Sequence, residues 1–243
     1  MRSVVINLPG AEARLAAFRA AERSVGLDSE VFSAVDGRSM AELPLHRHGL
    51  TPGEVGCVLS HQRLLRSVAS EERDWVLVLE DDVLFWDDFG GQLERAEEDA
   101  GWQGARYVQL GWMPLTERPD HLRLCRDRIV ANPKVRRASK IVRPRLRLSA
   151  PTVVSAEMGW GTHCYMVRTD FASVIADFLD GPRVHAPIDH YTPALQQIYP
   201  EFVFRARFSL AGQRWGQPSS TVSSRKFAPF QTDSAGNVRY AHK

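Results

Sequence analysis

A chain of 243 residues, 44% of them hydrophobic, suits one large α/β domain with a substantial core. Its formal charge of +2 is too small to argue for nucleic acid, and no window approaches the 18 apolar residues that a membrane span requires. Three scattered cysteines (Cys57, Cys125, Cys164) show neither metal spacing nor a disulfide framework, which favours a reducing compartment and a soluble, cytoplasmic protein.

In chain order, SVVINL (3–8) reads as a first strand that breaks at Pro9-Gly10. AEARLAAFRAAERSVG follows with helical spacing at Leu15, Phe18 and Val25, and EVFSAVDG (30–37) reads as a second strand ending at Asp36-Gly37. This β-α-β opening favours a parallel sheet covered by helices. Ser60 is a plausible N-cap for a helix carrying Leu64, Leu65 and Val68. WVLVL (75–79) is the third strand, apolar enough to be buried on both faces, and ARYVQLGW (105–112) a fourth. From 113 to 155 the pattern changes: five prolines occur there, and between 126 and 147 nine Lys or Arg stand against one acid, Asp127. Long loops or an exposed hairpin are expected there. Order returns with a Gly-rich turn around Trp160, a strand over 163–168, a helix over 170–179, a short helix after PIDH and a strand in 201–208. One domain over 1–210 is expected, with 113–155 a basic insertion on the acceptor side and 211–243 a partly ordered tail.

The stretch WVLVLEDDVLFWDDF (75–89) carries the chemistry. A buried strand cannot hide Glu80, Asp81 and Asp82 in its interior, so they surface at its carboxyl end, the edge where open α/β sheets bind ligands. Adjacent carboxylates raise one another's pKa and repel unless a cation is present. A hard divalent ion such as Mn²⁺ or Mg²⁺, held by one or two carboxylates and by substrate phosphates, resolves both problems and points to a nucleotide-diphosphate–metal site. A solvated acidic turn is the plain alternative. Asp87 and Asp88 fit caps for a helix beginning near Phe89.

The linked segments LTPGEVGCVLSHQRLL and WVLVLEDDVLFWDDF resemble glycosyltransferase family 25, the lipooligosaccharide galactosyltransferases related to the procollagen galactosyltransferases. VVINLPGAEARLAAF, GTHCYMVRTDFASVI and PIDHYTPAL resemble further segments of that family. The resemblance implies a GT-A-like fold, with a Rossmann-like, mostly parallel sheet flanked by helices. It implies a metal-dependent inverting transferase that moves galactose from UDP-galactose to a sugar hydroxyl, in lipopolysaccharide biosynthesis. On that reading Asp82 and Glu80 hold Mn²⁺ (or Mg²⁺), although Glu80 departs from the family's Asp-x-Asp form, and Asp81 reaches the ribose or donor sugar. Asn7 and Leu8 at the end of the first strand, Arg14, Asp36, Gly37, Ser60 and His61 would line the donor pocket. For Ser60 and His61 the reason is the anion-attracting start of a helix. Trp160, Gly161 and His163 would meet the sugar or acceptor.

Inversion needs a base near the acceptor hydroxyl, and Asp189 or His190 in PIDH can supply it. Asp189 also suits the cap of the helix after it. The basic run 126–147 reads either as a solvated loop or as a guide for an anionic glycolipid acceptor and for peripheral contact with the inner membrane face. Two rivals remain: a metal-dependent nucleotide-sugar phosphohydrolase, and a non-catalytic nucleotide-sugar-binding protein of the same fold.

Overall fold

A computed structural model describes residues 1–40, 50–72, 74–113, 151–179, 186–213, 230–232 and 238–240. The central element is β3 (Trp75–Glu80), whose residues 75–79 are all buried. Its alternate side chains feed two separate cores. Val76 and Val78 join one cluster, and Trp75, Leu77 and Leu79 join the other. That two-sided burial is why the stretch is apolar without alternation. Each fully buried Leu or Val there contributes roughly 1.5–3 kcal/mol relative to exposure.

Beside β3 lies β1 (Arg2–Asn7), parallel and in register from Arg2↔Val76 to Ile6↔Glu80, and beside β1 the parallel β2 (Glu30–Ser33). On the other side β7 (Trp160–Arg168) runs antiparallel, followed by β5 (Tyr107–Met113), β8 (Val203–Ala206) and β6 (Val153–Val154). Pairing directions put β1, β2, β3, β5 and β8 in one sense, with β7 and β6 reversed. The result is a mixed α/β domain with a mostly parallel central sheet. A further ribbon joins β4 (Val83–Phe85) to β9 (Ala211–Gln213), and β9 also touches β5 at Gly111↔Ala211. A two-stranded antiparallel pair, β10 (Phe230–Thr232) and β11 (Val238–Tyr240), lies later in the chain.

Helices cover both faces. α2 (Pro52–Val68), α4 (Thr169–Leu179) and α5 (Tyr191–Ile198) pack on one core, through Val58, Leu65, Ile175 and Leu195. α1 (Glu12–Ser24) and α3 (Phe89–Gln103) pack on the other, through Phe18, Phe89 and Leu93. Among the described residues, no helix is long and apolar enough to cross a membrane.

Several expectations shift. α2 begins at Pro52, not at Ser60. Thr51 caps it, its Oγ1 accepting from Glu54 N while its own N–H donates to Glu54 Oε2, a reciprocal capping box. Ser60 and His61 are therefore mid-helix, away from the anion-attracting amides. The second strand stops at Ser33, and Gly37–Ser39 forms a single 3₁₀ turn instead. Trp160 opens β7 and does not sit in a turn. The sheet continues past residue 210 into β9. Asp88 occupies the cap position of α3, but with φ 64° it makes no side-chain cap bond and pairs with Arg95 at 3.0 Å. The basic run 126–147 lies outside the described residues.

Candidate active site

The register that pairs Ile6 with Glu80 brings the carboxyl ends of β1 and β3 together, so Asn7 meets the acidic turn. Asn7 Nδ2 donates to Asp81 Oδ2 at 2.6 Å, and Arg14, from the first turn of α1, reaches the same oxygen at 3.2 Å. Asp81 is buried at 6% exposure. Burial raises its pKa against the lowering pull of Arg14 and Asn7. These three residues form a closed polar knot. Leu8 follows Asn7, and its carbonyl accepts from Ala11 N at 3.0 Å to start the turn into α1.

Glu80 points the other way. Thr162 Oγ1 donates to its Oε1 at 2.9 Å, and His61 Nε2 lies 3.3 Å from that oxygen. Burial alone would raise Glu80, but the contact and charge of His61, the charge of His163 and the Thr162 hydroxyl together bring it below the usual carboxylate range. Asp82 has the opposite fate. Burial, then the charge of Glu80, pushes it up to about 7, although Gln213 Nε2 donates to its Oδ2 at 2.9 Å. Its other oxygen, Oδ1, is buried with no hydrogen-bond partner.

Asp189 sits in the 3₁₀ turn Ile188–His190 before α5. Its Oδ1 lies 3.1 Å from Thr162 Oγ1, the hydroxyl that also touches Glu80. One hydroxyl proton serves one acceptor at a time, so Thr162 fixes the spacing of two carboxyl groups while fully satisfying only one. Burial, then the Glu80 charge, moves Asp189 up to about 6. Neighbouring His190 is fully buried, and burial lowers it to about 4, so its ring is neutral at pH 7. It packs against Trp160 with centroids 4.5 Å apart.

Other candidates have packing roles. Ser60 Oγ accepts from Val35 N at 2.8 Å and donates to Gly56 O at 2.6 Å, which ties α2 to the chain leaving β2. Gly37 is buried there, and a Cβ on it would meet Pro52 O at 1.8 Å. Asp36 pairs with Arg38 at 2.9 Å, which lowers its pKa. His163 is 1% exposed and wedged between glycines: a Cβ on Gly111 would meet its Nε2 at 2.5 Å, and one on Gly161 its Nδ1 at 2.7 Å. Gly161 has φ 109°, a conformation that glycine adopts freely. Burial lowers the pKa of His163, against the raising pull of the Glu80 charge and the Ala211 carbonyl.

Three contributors are not singled out by sequence: Thr162, although it lies within the family-like GTHCYMVR segment, Gln213 and Gln109. Gln109 is wholly buried and holds the Gly159–Gly161 backbone through its amide, donating to Gly159 O at 2.9 Å and accepting from Gly159 N at 3.1 Å. Thr162 lies where β7 shifts register against β5, between the partners of Gly111 and Met113.

The sequence profile of glycosyltransferase family 25 (LPS biosynthesis protein) matches residues 1–192. The chain belongs to glycosyltransferase family 25. A family 25 member from Aedes aegypti is 34% identical over 97 residues, 32% of this chain and 16% of its own length. A mouse relative named inactive glycosyltransferase 25 family member 3 is 26% identical over 253 residues, covering 97% of this chain. The chain spans 38% of that mouse protein's length. Among solved structures, a galactosyltransferase in complex with donor and acceptor sugar analogues aligns over 90% of this chain and 88% of its own, with a TM-score of 0.40 and 11% identity.

The acidic turn fits a hard divalent cation. Asp82 Oδ1 is a buried carboxylate oxygen without a hydrogen-bond partner, and burial with the charge of Glu80 pushes the carboxyl up to about 7 despite Arg14. Glu80 stands close enough for its charge to be the second cause of that shift. A cation bound by Asp82 and Glu80 would supply the missing partner. Cys57 differs, since burial and four nearby carboxylates hold its thiol well above the usual range.

Proposed function

We propose that this chain is a metal-dependent, inverting glycosyltransferase. It moves a hexose, most simply galactose from UDP-galactose, in β linkage to a sugar hydroxyl of a lipooligosaccharide or other surface glycan. One observation carries the reading: Glu80, which opens the acidic stretch 80–82, and the carboxyl of Asp189 meet on a single hydroxyl, Thr162, at the carboxyl edge of the parallel strands. Family membership supplies the reaction class.

Single displacement then assigns roles. The acceptor O–H proton passes to the Asp189 carboxylate as the acceptor oxygen bonds to the anomeric carbon. The bond from that carbon to the donor diphosphate breaks on the opposite face, and its electron pair leaves with UDP. With a pKa of about 6, Asp189 is mostly ionised at pH 7 and still basic enough to take a proton. His190 is the weaker choice, being closed in and a poor base at about 4. Asp82 and Glu80 would hold Mn²⁺ or Mg²⁺, which neutralises charge developing on the diphosphate. Asn7, Leu8, Arg14 and Asp81 would shape the nucleoside side, and Trp160 the sugar side. The basic run 126–147 would draw an anionic acceptor or membrane to the protein at the cytoplasmic face.

A second reading has its own support. Mouse and human relatives that align across 97% and 81% of this chain are named inactive. On that reading the site binds a nucleotide sugar without turnover. Asp189→Asn separates the two. Transfer should fall at least about 100-fold while UDP binding stays within about twofold. Near-normal transfer in Asp189→Asn would put the base elsewhere. Absence of transfer in the unaltered protein, with donor bound, would favour the binding protein. Donor cleavage at full rate without acceptor would favour a phosphohydrolase.

A further inference from the structure

Cys57 and His61 lie four residues apart on α2, so they share one helix face. That face meets the end of β3. Cys57 Sγ, a ring nitrogen of His61 and a carboxylate oxygen of Glu80 all lie within 4.8 Å of one another. The spacing of His61 Nε2 and Glu80 Oε1 is 3.3 Å. Zn²⁺ holds nitrogen and oxygen at about 2.0–2.2 Å in a tetrahedron, which sets such ligand pairs about 3.3–3.6 Å apart. The existing gap therefore already has the length of a tetrahedral edge.

The ring is also prepared from behind. His61 Nδ1 is 3.0 Å from the Tyr165 hydroxyl, and Tyr165 is locked against Tyr107 with centroids 5.1 Å apart. A metal-binding imidazole is oriented in this way by a partner on its far nitrogen. His61 is 1% exposed, and its Nε2 lies 3.3 Å from Glu80 Oε1 without a hydrogen bond. Glu80 is steadied in turn by Thr162.

We propose that Cys57, His61 and Glu80 form a three-ligand site for Zn²⁺ or a similarly thiophilic divalent cation, with a fourth position for water or a ligand oxygen. This donor set is chemically distinct from the oxygen ligands of Asp82, because Mg²⁺ and Mn²⁺ do not favour thiols. Glu80 belongs to both, so Zn²⁺ binding opposes the use of Glu80 beside Asp82. The thiol must lose its proton as the sulfur–metal bond forms, and that proton goes to solvent.

The test uses the full chain stripped of metal and titrated with Co²⁺ as an optical stand-in, then with Zn²⁺. One equivalent of Co²⁺ should give a thiolate-to-metal charge-transfer band and four-coordinate visible bands, both removed by one equivalent of Zn²⁺. Cys57→Ser should lose the charge-transfer band and bind Zn²⁺ at least about tenfold more weakly, as should His61→Gln. Cys125→Ser and Asp82→Asn should retain the band. Circular dichroism of the metal-free variants checks folding, and Cys57→Ser, nearly isosteric, decides the matter if His61→Gln unfolds. A missing thiolate band in the unaltered protein, or a band and Zn²⁺ affinity unchanged in Cys57→Ser, would overturn the site. These readouts need no sugar transfer, so the site stands or falls separately from the proposed activity.

Discussion

Among single residues, Asp82 carries the sharpest consequence. Its folded pKa, pushed up to about 7, lies above the unfolded value of 3.8, so the folded chain binds the extra proton. Stability therefore falls as pH rises between about 4 and 7, the direction opposite to an ion-paired aspartate. Asp189, raised to about 6, adds to the same slope. In the metal-free protein, Asp82→Asn should flatten that decline and stabilise the fold at pH 7 by roughly 1–3 kcal/mol, allowing for solvent at a half-buried carboxylate. Denaturant melts at pH 4.5 and pH 7 check this, with both pH values set about the window of the shift. An unchanged slope would mean that the carboxylate is better solvated than its burial implies.

Thr162 is the second residue of interest, and it acts by positioning. Thr162→Val keeps shape and removes the hydroxyl from both Glu80 and Asp189. That hydroxyl lowers Asp189, so its loss should move the acidic limb of the pH–rate profile upward from about 6. Turnover should drop about tenfold or more with donor affinity little changed. Thr162→Ser should restore both, an outcome that packing alone does not predict.

For the elements, the contact between α2 and the turn after β2 rests on two glycines. A Cβ on Gly56 would meet Val35 O at 2.5 Å and Gly37 N at 2.7 Å, both rigid backbone. Gly56→Ala should cost about 2 kcal/mol or more by forcing α2 away from Gly37, readable as a lower denaturation midpoint with unchanged slope. This also accounts for GEVGC and Asp36-Gly37 within the fold: the glycines let two elements touch. Sequence alone pointed Gly37 toward the donor, because a glycine required for close packing and one required at a ligand read alike. The start of α2 was misplaced for a related reason. Ser60 is a fair cap by type, whereas the Thr51-Pro52 start with Glu54 at the third position carries the stronger signal.

Across the whole molecule, what was legible followed from burial. WVLVL had to be a two-sided central strand, and the acids after it had to surface at its carboxyl end. The β-α-β opening and the helices at 12–24 and 169–179 follow from periodicity. What sequence could not show is convergence across distance. Gln213 reaches Asp82 from 131 positions away, and Thr162 reaches Glu80 from 82. Those contacts depend on an antiparallel β7 with a register slip and on β9 closing beside β4, neither of which has a local pattern. His163, a candidate sugar contact from its Gly-rich setting, is 1% exposed between Gly111 and Gly161, a burial that the local spelling does not reveal.

The central claim is that the acidic turn holds a divalent cation against a nucleotide diphosphate. Melting temperature with UDP, measured with and without Mn²⁺ in the unaltered chain and in Asp82→Ala, tests it most directly. UDP should raise the melting temperature only when Mn²⁺ is present, by several degrees at ligand about 100-fold above Kd, and Asp82→Ala should abolish that gain. Equal stabilisation by UDP without metal, or in Asp82→Ala, would contradict it.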